Sequence, residues 1–346
     1  MELQRKAYGN IPDGAEVDIF TLTNSAGITV RVITYGCIIT SVQTPDRDGN
    51  NGEITLGFDS LEGYLAGHPY FGSLVGRFAN RIAAGRFELE GSRYTLACNE
   101  KGTTHLHGGT VGFDKRLWTA EEIRDNDSAG VRFSYTSPDG EEGYPGQLEV
   151  QATYSLNEAN ELSFDYRART TKATPINLTN HTYWNLSGPG SGTVYGHLLS
   201  LNCSRYVPTN EQLIPTGEVL SVEDTPLDFR EQKAIGRDID QLPVGYDHCF
   251  IADREGRGPA VVARLYDPAS GRGFELTTTK PAVQLYTGNF LDGIRGAGGA
   301  TFDKHGALCL ETEYYPDAVN RPEFPSAVLR PGEAYHHTTV HRFFSE

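Results

Sequence analysis

Cysteine is sparse and unpatterned: Cys37, Cys98, Cys203, Cys249 and Cys309 are odd in number, widely spaced and form no Cys-x-x-Cys pair. This argues against a disulfide framework or a zinc knuckle and favours reduced thiols in a cytoplasmic setting. Positive charge is also short, with 30 Lys and Arg against 45 Asp and Glu and a formal charge of −15. Nucleic acid and anionic membrane surfaces are gripped through Lys and Arg, so neither is an expected partner, whereas a small neutral ligand is. Long apolar runs are missing. Residues 1–8 lack the apolar core of a signal peptide, and no later run suits a bilayer span. The glycosylation sequons at Asn177, Asn185 and Asn202 mean nothing without secretion. No fixed-period repeat, low-complexity tract or composition break marks a linker, so a single domain over residues 1–346 is expected. Helical apolar spacing is scarce as well, and 39 glycines with 18 prolines would interrupt most helices.

What remains is strand chemistry. Residues 28–45 are rich in β-branched side chains and broken at Gly36, which predicts two strands or one bent strand. Residues 46–52 read as a turn and 53–58 as a short strand. Residues 86–96 alternate apolar and polar about Gly91-Ser92, a hairpin signature. Leu148, Val150, Ala152, Tyr154 and Leu156 share one face, and after the turn at 157–160 Leu162, Phe164, Tyr166 and Ala168 return at period two. Residues 261–265 and 274–278 repeat the pattern about a turn at 267–273. The fold class is therefore all-β: a large antiparallel β-sandwich whose two sheets bury their apolar faces against each other.

Chemistry concentrates in residues 175–186, Pro-Ile-Asn-Leu-Thr-Asn-His-Thr-Tyr-Trp-Asn-Leu. His181 titrates near neutral pH and can hold or release a proton, or else serve as a hydrogen-bonded core histidine. Tyr183 and Trp184 offer flat faces with polar tips, suited to a sugar ring. Residues 72–83 hold Arg77, Asn80 and Arg81 in apolar, glycine-spaced surroundings, where an arginine ties strands together or meets a ligand oxygen. They match neither a dinucleotide fingerprint nor a P-loop, so phosphate binding has no support.

His105 and His107, two apart, would share a face in a strand and suggest metal, but a third ligand at metal spacing is missing. Hydrogen bonding to substrate or backbone is the better reading of His107, and no metal is expected. His336, His337 and His341 read as an edge strand with surface polarity. Asp247, after Gly245-Tyr246, points into a dry pocket or merely serves a turn. Gln284 can both donate and accept, and Glu311 follows an apolar run, where a carboxylate either pairs or works. Glu313 would share its face in an extended segment.

Taken together, residues 76–82, 106–109, 177–186, 245–248, 284–290, 310–312 and 316–320 resemble, in order, the recurring motifs of the galactose mutarotase (aldose 1-epimerase) family. The resemblance implies a mutarotase-type β-sandwich, interconversion of α and β anomers of free aldoses such as galactose and glucose, and no cofactor. It also implies His181 as general acid and Glu311 as general base. Asn80, Arg81, His107, Asp247 and Gln284 would line the sugar site. Phe78 and Trp184 stand where a small aliphatic residue and phenylalanine are common in the family, which touches substrate preference more than reaction. Nearby carboxylates are expected to keep the His181 imidazolium protonated. A monomer or weak homodimer is expected. Competing readings are a glycoside hydrolase working through Glu311 and Asp247 and a non-catalytic carbohydrate-binding sandwich. A phosphosugar epimerase would need more basic residues around the site than Arg81.

Overall fold

Strands account for most of the regular structure in the computed structural model, which describes residues 1–256 and 258–346. The largest sheet has nine strands, in the order Thr119–Arg124, Ser128–Ser137, Leu148–Asn157, Glu161–Thr170, Tyr335–Ser345, Arg272–Thr278, Ala260–Tyr266, Leu198–Leu201 and Lys233–Ala234. Its centre is the hairpin legible in the sequence: Tyr154 pairs with Phe164 and Ala152 with Tyr166. Burial along Leu148–Asn157 alternates strictly, because successive side chains leave a strand on opposite faces. A five-stranded meander, Glu2–Asn10, Glu16–Thr23, Thr29–Ile33, Ile39–Pro45 and Asn51–Glu53, packs on this sheet. A second five-stranded sheet, ordered Leu220–Ser221, Arg205–Val207, Asp247–Ile251, Ala282–Tyr286 and Cys309–Glu313, carries the chemistry. All named strand pairs are antiparallel.

The main core joins all three. Phe20, Leu22 and Val30 of the meander meet Phe133, Tyr154 and Leu156 of the large sheet, with Val283, Leu285 and Leu310 from the third. Each such fully buried aliphatic contributes about 1.5–3 kcal/mol, and truncating Leu285 to alanine would cost about 2–5 kcal/mol.

Two expectations need correction. The strand expected over 53–58 continues the meander only as Asn51–Glu53, with Thr55 beyond it in a lone antiparallel bridge to Trp184, because Glu53 turns its carboxylate onto its own surroundings, accepting the N–H of Val42 at 2.9 Å and of Thr55 at 3.0 Å. A carboxylate that takes up backbone donors replaces a ladder partner. The C-terminal histidines do not mark an edge: Tyr335–Ser345 lies between Glu161–Thr170 and Arg272–Thr278, in the middle of the large sheet. His341 is buried among the rings of Trp184, Phe164 and Phe274, with neither ring nitrogen hydrogen-bonded. Among the described residues no helix is long and apolar enough to cross a membrane.

Candidate active site

The strand Cys309–Glu313 sends Leu310 into the core and Thr312 to the Thr339 hydroxyl, so Cys309, Glu311 and Glu313 must face the other way. Register then recruits neighbours. Gln284 lies directly opposite Glu311, Tyr286 opposite both Cys309 and Asp247, and residues opposite each other in an antiparallel pair share a face. Asp247 Oδ1 accepts the Gln284 amide at 2.6 Å across the diagonal.

Onto this face folds the segment bearing His181. Its backbone is held on both sides, donating to the Ser73 carbonyl at 2.9 Å and accepting from Gly72 N–H at 3.1 Å. The asparagines around it do structural work: Asn180 donates to the Gly72 carbonyl at 2.9 Å and Asn185 to that of Gly306 at 2.8 Å. The imidazole Nε2 stands 3.6 Å from Glu311 Oε1, and Nδ1 lies 3.5 Å from Cys309 Sγ. Tyr183 stacks on the ring at 5.1 Å and 21°. Tyr183 is itself buried against Phe71, so it backs the imidazole. Trp184 is not a platform for a sugar. One residue on in an extended segment, it points the opposite way, into the core against Phe274 and Phe343.

His105 and His107 part company, because His107 takes a left-handed φ of 51° and leaves the strand. His105 bonds the Ala97 carbonyl at 2.8 Å and the Tyr144 hydroxyl at 2.6 Å, a structural role. His107 swings to the site, its ring 5.2 Å from that of His181. The turn closes only because residue 108 is glycine: a Cβ there would lie 1.8 Å from the Gly76 carbonyl oxygen. His107, His181 and Glu311 offer ligand atoms all within 4.8 Å of one another, a spacing open to a metal ion. Yet His107 Nδ1 accepts the Asn80 N–H at 3.2 Å, which leaves the ring proton on Nε2. His107 therefore acts as a hydrogen-bond donor at its free end, suited to a hydroxyl and unsuited to a cation.

Arg81 is gripped by Glu100 through two bonds, Nε at 2.9 Å and Nη2 at 2.8 Å, and its Nη1 lies 3.9 Å from Asp247 Oδ2. Arg77 is a scaffold residue: buried, it donates to the carbonyls of Pro145 and Gly146 at 2.9 Å each. Asn80 is committed within the protein, its Oδ1 accepting Arg81 N–H at 2.9 Å and its Nδ2 donating to Glu313 Oε1 at 3.1 Å.

Burial dominates the electrostatics. It pushes His181 down to about 3, and it lowers His107 well below its ordinary range, with the neighbouring His181 and Arg81 acting in the same direction. Glu311 is driven well above the usual carboxylate range by burial, then by Glu313 and Asp247, against which Arg81 works. Asp247 is raised by burial and held back by Arg81 and Gln284. The expectation of a standing imidazolium is thus corrected: desolvation lowers His181 and raises Glu311, which favours neutral imidazole beside carboxyl. Glu311 Oε2 and Gln284 Oε1 are buried without a hydrogen-bond partner.

Eight of the residues singled out in the sequence, Asn80, Arg81, His107, His181, Tyr183, Asp247, Gln284 and Glu311, converge here, whereas Trp184, Arg77 and His105 do not. The reading missed Tyr70, whose ring lies 4.6 Å from His107 and 5.7 Å from His181 at the mouth, and Glu100, which orients Arg81. Neither carries a local pattern; Tyr70 is told only by the His68-Pro69-Tyr70-Phe71 run after a short helix. Two open grooves of about 780 and 840 Å³ lie elsewhere, one against Tyr135, Arg167 and Tyr335 and the other against Arg254, Tyr314 and His337. Convergent buried titratable groups, rather than volume, single out the site.

Fold and site together make an antiparallel β-sandwich that gathers buried carboxylates, imidazoles and an arginine on one sheet face. Residues 18–342 match the family model described as aldose 1-epimerase, and the chain belongs to that family. It is 47% identical to the galactose mutarotase of Bos taurus, over 99% of each chain. It is 38% identical to the aldose 1-epimerase of Escherichia coli K12, over 97% of each. Among solved structures it resembles the aldose epimerase homologue from C. elegans, with a TM-score of 0.87 at 31% identity over 94% of this chain and 98% of that one. Galactose 1-epimerase from Lactobacillus acidophilus matches with a TM-score of 0.87 at 28% identity, over 99% of each.

Proposed function

We propose that the protein interconverts the α and β anomers of free aldoses such as galactose and glucose, with Glu311 and His181 as its proton-transfer pair. The observation that carries this reading is the buried 3.6 Å approach of His181 Nε2 to Glu311 Oε1. The hydroxyl oxygen on C1 and the ring oxygen O5 are bonded to the same carbon, so two groups this close can each reach one of them.

The reaction follows from that placement. Glu311 as carboxylate takes the proton of the C1 hydroxyl while His181 as imidazolium protonates O5, and the C1–O5 bond breaks to an aldehyde. Rotation about C1–C2 presents the other carbonyl face. His181 then takes the proton back from the O5 hydroxyl as it attacks C1, and Glu311 returns its own to the carbonyl oxygen. Imidazolium with carboxylate and imidazole with carboxyl carry the same net charge and differ by one transfer. The dry site favours the neutral form, which is the state of the pair once the ring is open, so burial favours the bound open-chain sugar. Arg81, His107, Asp247 and Gln284 would hold hydroxyl groups so that only C1 turns.

Polarimetry on freshly dissolved α-D-galactose and α-D-glucose tests the proposal. Rates well above the spontaneous one are expected, with no release from nitrophenyl glycosides; an unchanged rate supports a sugar-binding protein and glycoside cleavage a hydrolase. Asp247 favours the first reading over the hydrolase, since Arg81 and Gln284 already engage its carboxylate. A monomer or weak homodimer working in the cytoplasm belongs to the same proposal.

A further inference from the structure

Two buried titratable groups beneath the site take no part in the proton transfers above. Glu313 is fully buried on the same strand face as Glu311. Lys280, equally buried, places its ammonium 3.3 Å from Asn177 Oδ1, against the Tyr335 hydroxyl, and over the rings of Tyr314 at 4.9 Å and Tyr335 at 4.7 Å. A carboxylate held away from water is expensive unless it does something there.

What Glu313 touches is the junction of the sugar-facing groups. Its Oε1 accepts the Asn80 amide. Asn80 sits at a left-handed φ of 65° and makes three further bonds. Its N–H donates to His107 Nδ1, its carbonyl accepts His107 N–H at 3.1 Å, and its Oδ1 accepts Arg81 N–H. The bond to His107 Nδ1 fixes which ring nitrogen carries the proton facing the sugar, and the bond to Arg81 fixes the start of the side chain that reaches Asp247. Turning Asn80 would disturb both. Glu313 is the only charged side chain bonded to that amide among the described residues.

We propose that Glu313 is a positioning residue for the reaction, clamping Asn80 so that His107 and Arg81 meet the sugar correctly while its charge governs how firmly neighbouring Glu311 holds a proton. The proposal rests on the anomerase reading of the site. Around the Glu313 carboxyl stand Glu311 on its own strand, Asp247 and Cys249 on the second strand over, Arg81 beside Asn80, and Lys280. Burial raises Glu313 to about 8, with Asn80 and Lys280 holding it back. Burial likewise pushes Lys280 well below its ordinary range, against the pull of Glu313. Glu313 is accordingly protonated at neutral pH and ionises in the mildly alkaline range.

The test compares wild type, Glu313→Gln and Glu313→Leu by polarimetry, with kcat and KM measured between about pH 6 and pH 9. Glutamine imitates the protonated acid and keeps an acceptor for Asn80. Below about pH 7 Glu313→Gln should match wild type within about twofold. A bend in kcat is expected of wild type near pH 8, where Glu313 ionises, and should be absent from Glu313→Gln. Leucine removes the acceptor, so Glu313→Leu should raise KM about tenfold at every pH, an effect glutamine rescues. Superimposable pH profiles for wild type and Glu313→Gln overturn the electrostatic part, and a wild-type KM in Glu313→Leu overturns the clamp. Should Glu313→Leu not fold, as judged by circular dichroism, Asn80→Gly removes the donor side of the same bond at a backbone position glycine tolerates, and a wild-type KM there overturns the clamp. A wild-type protein with no anomerisation would sink the functional reading instead, which separates the two failures.

Discussion

Replacing Glu311 with glutamine should make the protein less active and more stable at once. Proton transfer by a positioned side chain contributes about 10²–10⁴ in rate, so Glu311→Gln is expected to lose about that factor in kcat, or about 3–5 kcal/mol of barrier lowering. The opposite effect on stability comes from the carboxylate's surroundings. Glu311 is buried, its Oε2 has no partner, and Glu313 and Asp247 both press against its ionisation. Where pH is high enough to ionise the carboxyl, a neutral amide of the same shape removes that repulsion, worth about 1–3 kcal/mol. An acid raised in the folded state binds more protons folded than unfolded between its two pKa values, so wild-type stability falls as pH rises through that window. Glutamine has no such loss, and the stability gap should widen as pH rises above about pH 5, the range in which the unfolded carboxyl ionises. Urea unfolding at several pH values gives the second quantity and polarimetry the first. A variant retaining more than about a tenth of the wild-type rate refutes Glu311 as base; one unfolding at lower urea than wild type refutes the account of a destabilising carboxylate.

Further outcomes are open to measurement. His181→Asn should lower kcat about 10²–10⁴-fold by polarimetry with unchanged circular dichroism. Asp247→Asn weakens the hold on Arg81 and should raise KM about tenfold, with a smaller fall in kcat. His341→Phe removes an imidazole whose nitrogens are unpartnered amid aromatic rings, and should stabilise the fold by about 1–3 kcal/mol in urea melts at pH 7. Burial pushes His341 down to about 3, so acid protonates the unfolded chain first. Stability on this account is present above about pH 6.5 and lost as pH falls, so the variant's advantage should grow by about 2 kcal/mol at pH 5.

The hairpins were legible because period-two alternation is a local property, and the chain bears it out in the pairing of residues 148–157 with 161–170 and of Arg86–Leu89 with Ser92–Thr95. The site residues were nameable one at a time because buried-type polar side chains in apolar runs are conspicuous. Three things were hidden for one reason: they depend on partners distant in sequence. Trp184 was misread because facing depends on which sheets cover the segment. His341 was misread because nothing in residues 335–345 says that strands from residues 161 and 272 flank it on both sides. The protonation of His181 was misread because desolvation is set by the whole fold, whereas neighbouring charges are guessed from nearby motifs. Glu100, six residues ahead of the 106–109 motif but outside it, emerged only as the grip on Arg81.

That central position of residues 335–345 has a bearing on biosynthesis. Until residues 335–345 pair, the strands Glu161–Thr170 and Arg272–Thr278 each lack a neighbour and present unpaired N–H and C=O groups to any other extended peptide. An unfolded or newly made chain is thus open to clumping until that strand is seated, and its seating closes the slot between the two.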